Sequence, residues 1–376
     1  ENDMALVVQS ARATSWGIEG NARETARVGA EVLARAETAY GRRSVSANLC
    51  AATLGHAYYE LDRIDEAREV LANRAGILRS SSPGTMIQAA LCCARLVLLQ
   101  LGPEAALAFL DSQQAHYQSL GLERLVAAMW AEQVKVLLVL DDRVRAAELV
   151  QRLGALGDAH RGAQGFLAEI PALAALARAR LALVDARPDE ALRALDEVRA
   201  FAQGAGRVGM RVLTDILSAL TLDYLDREGE ALDCLARAAQ AGAAAGLARS
   251  FLDEGAHVGR LLARLQAQAG GTRLDERTRP WVADLLRRWG DPWVAVSQAT
   301  DRPAPGSAKA EAVTLTPREV EILGLVAKAM SSKRIAQTLG ITPETVKWNI
   351  RNVLAKLQMS SRYDALTWAR NQGLIE

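Results

Sequence analysis

Residues 341–357, ITPETVKWNIRNVLAKL, set an exposed cluster of contact-making side chains against an apolar stripe. At about 100° per residue, Val346, Ile350, Val353, Leu354 and Leu357 share one helical face, and Trp348 falls almost opposite it, with Lys347 and Arg351 beside it. A point charge, an indole plate and a forked guanidinium then occupy one surface. The plainer alternative is a solvated helix face with one stray aromatic. Catalytic chemistry has no comparable signal: no nucleophile–base pair and no carboxylates at useful spacing stand out, so the chain is not expected to be an enzyme. His56, His116, His160 and His257 are scattered without metal-ligand spacing. Cys50, Cys92, Cys93 and Cys234 fit neither a zinc site nor a disulfide framework, and read as small core residues.

The 376 residues, 50% hydrophobic and 24% charged, have the composition of an ordinary soluble protein of two or three domains. The net charge of +1 is unevenly spread. Residues 311–376 hold nine Lys or Arg against six Asp or Glu, and the rest of the chain holds 36 against 38. The longest apolar run, Met86 to Gly102, is interrupted by Gln88, Arg95 and Gln100, so it reads as a buried repeat helix and no membrane partner is expected. The chain opens on Glu1 with no signal pattern behind it, which reads as part of a longer cytoplasmic protein.

A repeat positions whatever the first 265 residues do. LGHAYYELDRIDEAREVL (54–71) has counterparts at 96–110, 136–150, 181–195 and 220–235: an apolar helix, a polar turn, then an acidic-alanine opening to a second helix. Ala67, Ala106, Ala147, Ala191 and Ala231 mark the register, at spacings of 39, 41, 44 and 40 residues. Two helices per period of about 40 predict stacked hairpins, because neither helix buries its apolar face without the next repeat. Gly246 is read as a helix stop, Phe251 and Leu252 as packing residues, and Asp253 with Glu254 as acids favouring the next helix start. Residues 297–312 carry Gly, Pro, Ser and Ala without apolar period and read as a linker. Trp281, Trp289 and Trp293 flank a short helical pattern expected to cap the repeats. The expected layout is repeats over 1–265, short helix and linker over 266–312, and a small domain over 313–376.

Four short helices are expected in that small domain. Thr316-Pro317-Arg318-Glu319 is a capping box with proline at the first helical position. Ser331 caps a second helix ending near Gly340, Thr342-Pro343 a third, and Ser361 with Asp364 a fourth. The second and third form a helix-turn-helix unit whose predicted core is Val320, Leu323, Val326, Ile335, Ala336, Leu339, Ile341, Val346, Ile350 and Leu357.

Residues 315–369, with L-T-x-R-E, I-A, T-V-K and the terminal K-L of the third helix, resemble the LuxR-type DNA-binding domain. The repeats resemble tetratricopeptide-like units, and GLARSFLDEG (246–255) resembles a motif ending the sensor region of MalT-like and LAL-type regulators. The fold class so implied is all-α: a helical-hairpin solenoid followed by a four-helix LuxR-type helix-turn-helix domain. Such regulators usually begin with a nucleotide-binding domain; none of the six lysines here follows a glycine, so no G-x-x-x-x-G-K-[ST] loop and no cofactor is expected in this chain.

The resemblance implies double-stranded DNA as partner, with the third helix in the major groove. Lys347, Trp348 and Arg351 then read base edges, Arg351 suiting guanine and the Trp348 indole a thymine methyl. Ser332, Lys333 and Arg334 from the second helix, with Thr342, Thr345, Asn349, Asn352 and Lys356, suit phosphates. Arg334 departs from the family's glutamate, placing a cation at a helix start that a phosphate offsets. Ala365, Trp368 and Ala369 resemble the family's dimerisation helix, implying a homodimer on DNA, with RNA polymerase a further partner; packing onto the domain's own core is the alternative. A small-molecule or protein effector is expected on the concave repeat face, with Tyr58 and Tyr59 as candidate contacts. The competing reading is a repeat scaffold whose last domain does not bind DNA.

Overall fold

The computed structural model describes residues 3–79, 81–267, 273–289, 317–327, 330, 332–339, 346, 350, 353, 369, 370 and 374. All regular structure among them is helical, and the chain divides into two compact units between Pro305 and Gly306.

The first unit stacks six hairpins: α1 (Asp3–Glu19) with α2 (Ala22–Tyr40), α3 (Val45–Glu60) with α4 (Ile64–Leu71), α5 (Pro83–Leu101) with α6 (Pro103–Ser119), α7 (Glu123–Val139) with α8 (Arg143–Ala159), α9 (Glu169–Val184) with α10 (Pro188–Gly204), and α11 (Val208–Tyr224) with α12 (Glu228–Ala245). Four of the hairpin turns share one device. Asp62, Asp141, Ala186 and Asp226 take left-handed φ of 57–63°. The following N–H then reaches five residues back: Arg63 to Tyr58, Asp142 to Leu137, Arg187 to Ala182 and Arg227 to Leu222, at 2.8–2.9 Å. This is the Schellman closure, and aspartate tolerates its left-handed residue well.

In the second helix of every hairpin after the first, the fourth residue is an alanine 0–1% exposed: Ala67, Ala106, Ala146, Ala191 and Ala231. In the third of these the buried residue is Ala146 and the expected Ala147 is exposed, so the true spacings are 39, 40, 45 and 40. Cysteines serve the same close approach. Cys50 Sγ donates to the Gly29 carbonyl at 3.1 Å and Cys92 Sγ to that of Gly55 at 3.4 Å. Helix α5 is long and apolar enough to cross a membrane, but over half of it is buried in the unit, where it packs on α3, α6 and α7.

After the last hairpin come α13 (Arg249–Leu252), α14 (Ala256–Ala267) and α15 (Thr278–Arg288). Helix α15, counted above with the linker, packs on α12 and α14 and contributes Val282 and Leu285 to the repeat core. Trp281 meets Phe251 edge-on at 5.3 Å, while Trp289 lies against Gly259, so both tryptophans do cap the repeats. Trp293 and residues 297–312 lie outside the described residues.

The second unit shows α16 (Pro317–Ala327) and α17 (Ser332–Leu339), starting where Pro317 and a cap at Ser331 predict.

Candidate nucleic-acid interface and repeat cavity

In the second unit, Ile322 of α16, Ile335 and Ala336 of α17, and Val346 and Ile350 form one buried cluster, backed by Leu325, Val326, Met330 and Leu339. Val346, Ile350 and Val353 are all helical and at most 3% exposed, so the third helix buries the stripe at i, i+4 and i+7. Ile322, absent from the expected core, is fully buried, while Val320 and Val326 are only half-buried. Among the expected DNA contacts, Ser332 and Lys333 stand in the first turn of α17, and Arg334 follows with an exposed side chain. Thr342, Thr345, Lys347, Trp348, Asn349, Arg351, Asn352 and Lys356 lie outside the described residues, as do Ala365 and Trp368. Ala369 is helical and fully buried within the single chain, so its side chain is covered without a second copy.

The first helices of the hairpins turn one face inward around a cavity of about 250 Å³. Its lining follows helical spacing: Thr53, His56 and Glu60 on α3; Ile87, Leu91 and Arg95 on α5; Ala128, Glu132 and Lys135 on α7; Leu173, Leu176 and Arg180 on α9; Met210 and Leu213 on α11. Toward the C-terminal ends of these helices the wall is charged. Arg95 forks onto Glu132 at 3.0 and 3.1 Å and reaches Glu60 at 3.4 Å. Glu254 takes both guanidinium nitrogens of Arg180 at 2.7 Å and Lys135 at 3.1 Å. Burial alone raises the Glu254 carboxyl, but Arg180 and Lys135 outweigh it and hold it at about 2. For Glu60 burial wins over Arg95, and its carboxyl is raised. Burial, aided by Arg95, lowers His56 to about 3, which keeps the imidazole neutral.

Beside the cavity the two ends of the stack meet. Gly20, at φ +94°, lies so close to α11 that a Cβ there would stand 2.5 Å from the Gly209 nitrogen. Arg207 donates to the Ile18 carbonyl at 3.0 Å and Arg23 to that of Ala243 at 3.1 Å. The 246–255 segment adds to this seam. Gly246 ends α12 in the left-handed conformation as expected (φ 81°), but Asp253 and Glu254 do not serve a helix start. Asp253 accepts from the Tyr59 hydroxyl at 2.8 Å and pairs with Arg249; Glu254 joins the cavity network. Arg249 is fully buried, reaches Asp62 at 3.3 Å and sits over the Tyr59 ring at 5.3 Å. Ser250 donates to Glu60 at 2.9 Å.

Tyr58 and Tyr59 are therefore misplaced as effector contacts. Tyr59 is 1% exposed and committed to Asp253; Tyr58 is 8% exposed with Arg63 over its ring at 4.1 Å. Neither lines the cavity. The residues missed by sequence reasoning are the inward charges, whose signal was a Glu, Arg or Lys recurring near the C-terminal end of successive apolar helices.

Stacked hairpins around a cavity, with a separate small helical unit built on a buried Ile322–Ile335–Val346–Ile350 cluster, define a two-part helical repeat protein. Residues 8–268 match the MalT-like TPR region, and the chain belongs to that family; residues 313–369 match the bacterial regulatory proteins of the luxR family. Similar proteins include the nitrate/nitrite response regulator protein NarL of Escherichia coli K12, 34% identical over 110 residues, 29% of this chain and 44% of NarL. The transcriptional regulatory protein LiaR of Bacillus subtilis is 44% identical over 62 residues, 16% of this chain and 29% of LiaR. The HTH-type transcriptional regulator AlkS of Alcanivorax borkumensis is 36% identical over 62 residues, 16% of this chain and 7% of AlkS. The matches thus span less than half the length of each of these curated relatives.

Proposed function

We propose that the chain is a sequence-specific DNA-binding regulator of transcription whose repeat domain takes an effector and thereby controls the helix-turn-helix unit. The observation that carries the DNA reading is the common burial of Val346, Ile350 and Val353. With that stripe turned to the core, helical phase leaves Lys347, Trp348 and Arg351 for the opposite, groove-facing side. The luxR-family match over 313–369 supports the same assignment. Ser332, Lys333, Arg334, Thr342, Thr345, Asn349, Asn352 and Lys356 act on phosphates, and Ala365 with Trp368 remain the dimer contacts, Ala369 serving the fold. The regulator works in the cytoplasm, as a homodimer on DNA, with RNA polymerase as the further partner.

The effector reading rests on the cavity. A concave, half-open space of about 250 Å³ suits a small molecule rather than a protein. The test is a titration of the full chain with random duplexes and duplexes selected for binding, at several salt concentrations. A regulator of this kind prefers one sequence and loses affinity steeply with salt, because bound Lys and Arg release counterions. Equal, salt-insensitive or absent binding favours the scaffold reading instead.

A further inference from the structure

The cavity wall carries four carboxylates, Glu60, Glu132, Glu169 and Glu254, and four cations, Arg95, Lys135, Arg180 and Arg207, and one of those cations makes no ion pair with a described residue. Glu60 and Glu132 face Arg95, while Glu254 takes both Arg180 and Lys135. Glu169, the remaining acid on the wall, is held by Arg124 at 2.6 Å. Arg207 is left over. It forms no ion pair with any described residue; Nη1 donates to the Ile18 carbonyl, and Nε is buried without a partner. Burial draws the Arg207 guanidinium down from its ordinary value, outweighing the upward pull of Glu169, and Arg124 adds to the lowering.

Glu169 is the acid nearest to Arg207 in effect, and the wall on this side also holds apolar side chains. Met210 and Leu213 continue its own side of α11, and Leu173 and Leu176 of α9 share the wall. On α3, His56 Nδ1 is a second buried polar atom without a partner. A cation with a free donor and hydrocarbon on one concave wall describe the complement of an amphiphilic anion.

We propose that the repeat cavity binds a small organic monocarboxylate, its anionic end on Arg207 and its hydrocarbon or aromatic body along Leu173, Leu176, Met210 and Leu213. The inference deepens the effector reading above and rests on it. Arg207 and Gly209 belong to the last hairpin and Ile18 and Gly20 to the first, so the bound carboxylate sits at the seam where the stack closes. Because only the closed form holds both sides of the site, the ligand favours closure by its differential affinity for that form.

The experiment uses the full chain and measures its melting temperature with millimolar benzoate and hexanoate, and with benzamide, hexanamide and inorganic phosphate as controls. The carboxylates are expected to raise it by roughly 2–4 °C near saturation, the neutral amides and phosphate not. R207Q loses the response, R207K keeps a weakened one, and R211Q, at an exposed position in the first turn of α11, keeps it in full. Equal shifts with the amides, an unchanged response in R207Q, or no response to either carboxylate overturns the proposal. If R207Q does not fold, R207K decides: a response undiminished by loss of the guanidinium fork overturns the Arg207 assignment. DNA affinity of the same samples separates the two claims. A chain that binds DNA and ignores carboxylates refutes the site alone; one that takes up benzoate with no change in DNA affinity refutes effector control alone.

Discussion

The Tyr59 hydroxyl donates a 2.8 Å hydrogen bond to Asp253, 194 residues further along the chain. The ring of the same tyrosine lies under the fully buried Arg249, which pairs with Asp253 and Asp62. One short segment after the last hairpin thus ties itself to the end of α3 and to the turn behind it. This network is a clasp, because its partners come from opposite ends of the stack.

Removing clasp partners should cost stability in graded fashion. Arg249→Ala leaves Asp253 without its cation, while Asp62 keeps Arg288, and should cost about 3–5 kcal/mol. Tyr59→Phe removes one hydrogen bond to a charged group and should cost about 1.5–3 kcal/mol. Urea unfolding measures both. If the two variants unfold at the parent's midpoint, the clasp does not hold the stack.

The seam should discriminate between two glycines in contact. A Cβ at Gly20 meets the Gly209 backbone nitrogen at 2.5 Å and demands a positive φ, whereas a Cβ at Gly209 comes no closer than 3.9 Å to Gly20. Gly20→Ala should therefore cost roughly 1–3 kcal/mol and enlarge the radius of gyration, while Gly209→Ala should be close to silent. Melting curves with small-angle scattering compare them, and a silent Gly20→Ala refutes the closed seam.

The cavity carboxylates should respond to acid in opposite senses. Glu254 falls from 4.5 in the unfolded chain to about 2 in the folded one, so its contribution is full above about pH 5 and is lost as pH falls toward 2. Glu254→Gln should flatten that acid loss and cost about 3–5 kcal/mol at pH 7, since Arg180 and Lys135 then lack their counter-charge. The Glu60 carboxyl is raised, so its ionisation opposes the fold as pH climbs, and Glu60→Gln at pH 7 should cost less than about 1 kcal/mol. Stability against pH for the three proteins is the measurement; equal costs at pH 7 contradict the assignment.

On DNA, three substitutions should fail differently. Arg351→Ala should cost about 1–3 kcal/mol on the preferred site and relax the preference at one base pair. Lys356→Ala should weaken all sequences alike and reduce the salt slope by about one. Trp348→Ala should lower specific binding with an unchanged melting temperature. Titrations on preferred and scrambled duplexes, with melting curves alongside, separate them. A sharp drop in melting temperature for Trp348→Ala with DNA binding intact makes that residue core.

Helices are local objects, and the features of this chain that depend on neighbours within a turn or two were legible in residues alone. Pro317 begins α16, Gly246 ends α12, and the stripe of Val346, Ile350 and Val353 is buried as its spacing demands. The period near 40 announced stacked hairpins for the same reason. It did not distinguish Ala146 from Ala147, because two adjacent small residues satisfy one spacing and only packing against the neighbouring helix chooses between them. Tertiary structure alone decided that Tyr59 faces Asp253, that Arg207 is left without an ion pair among the described residues, and that Glu254 meets Lys135 and Arg180 across 119 and 74 residues. Those pairings arise when the stack curves until its ends touch, and that curvature accumulates from small rotations at every hairpin interface, which no single segment encodes.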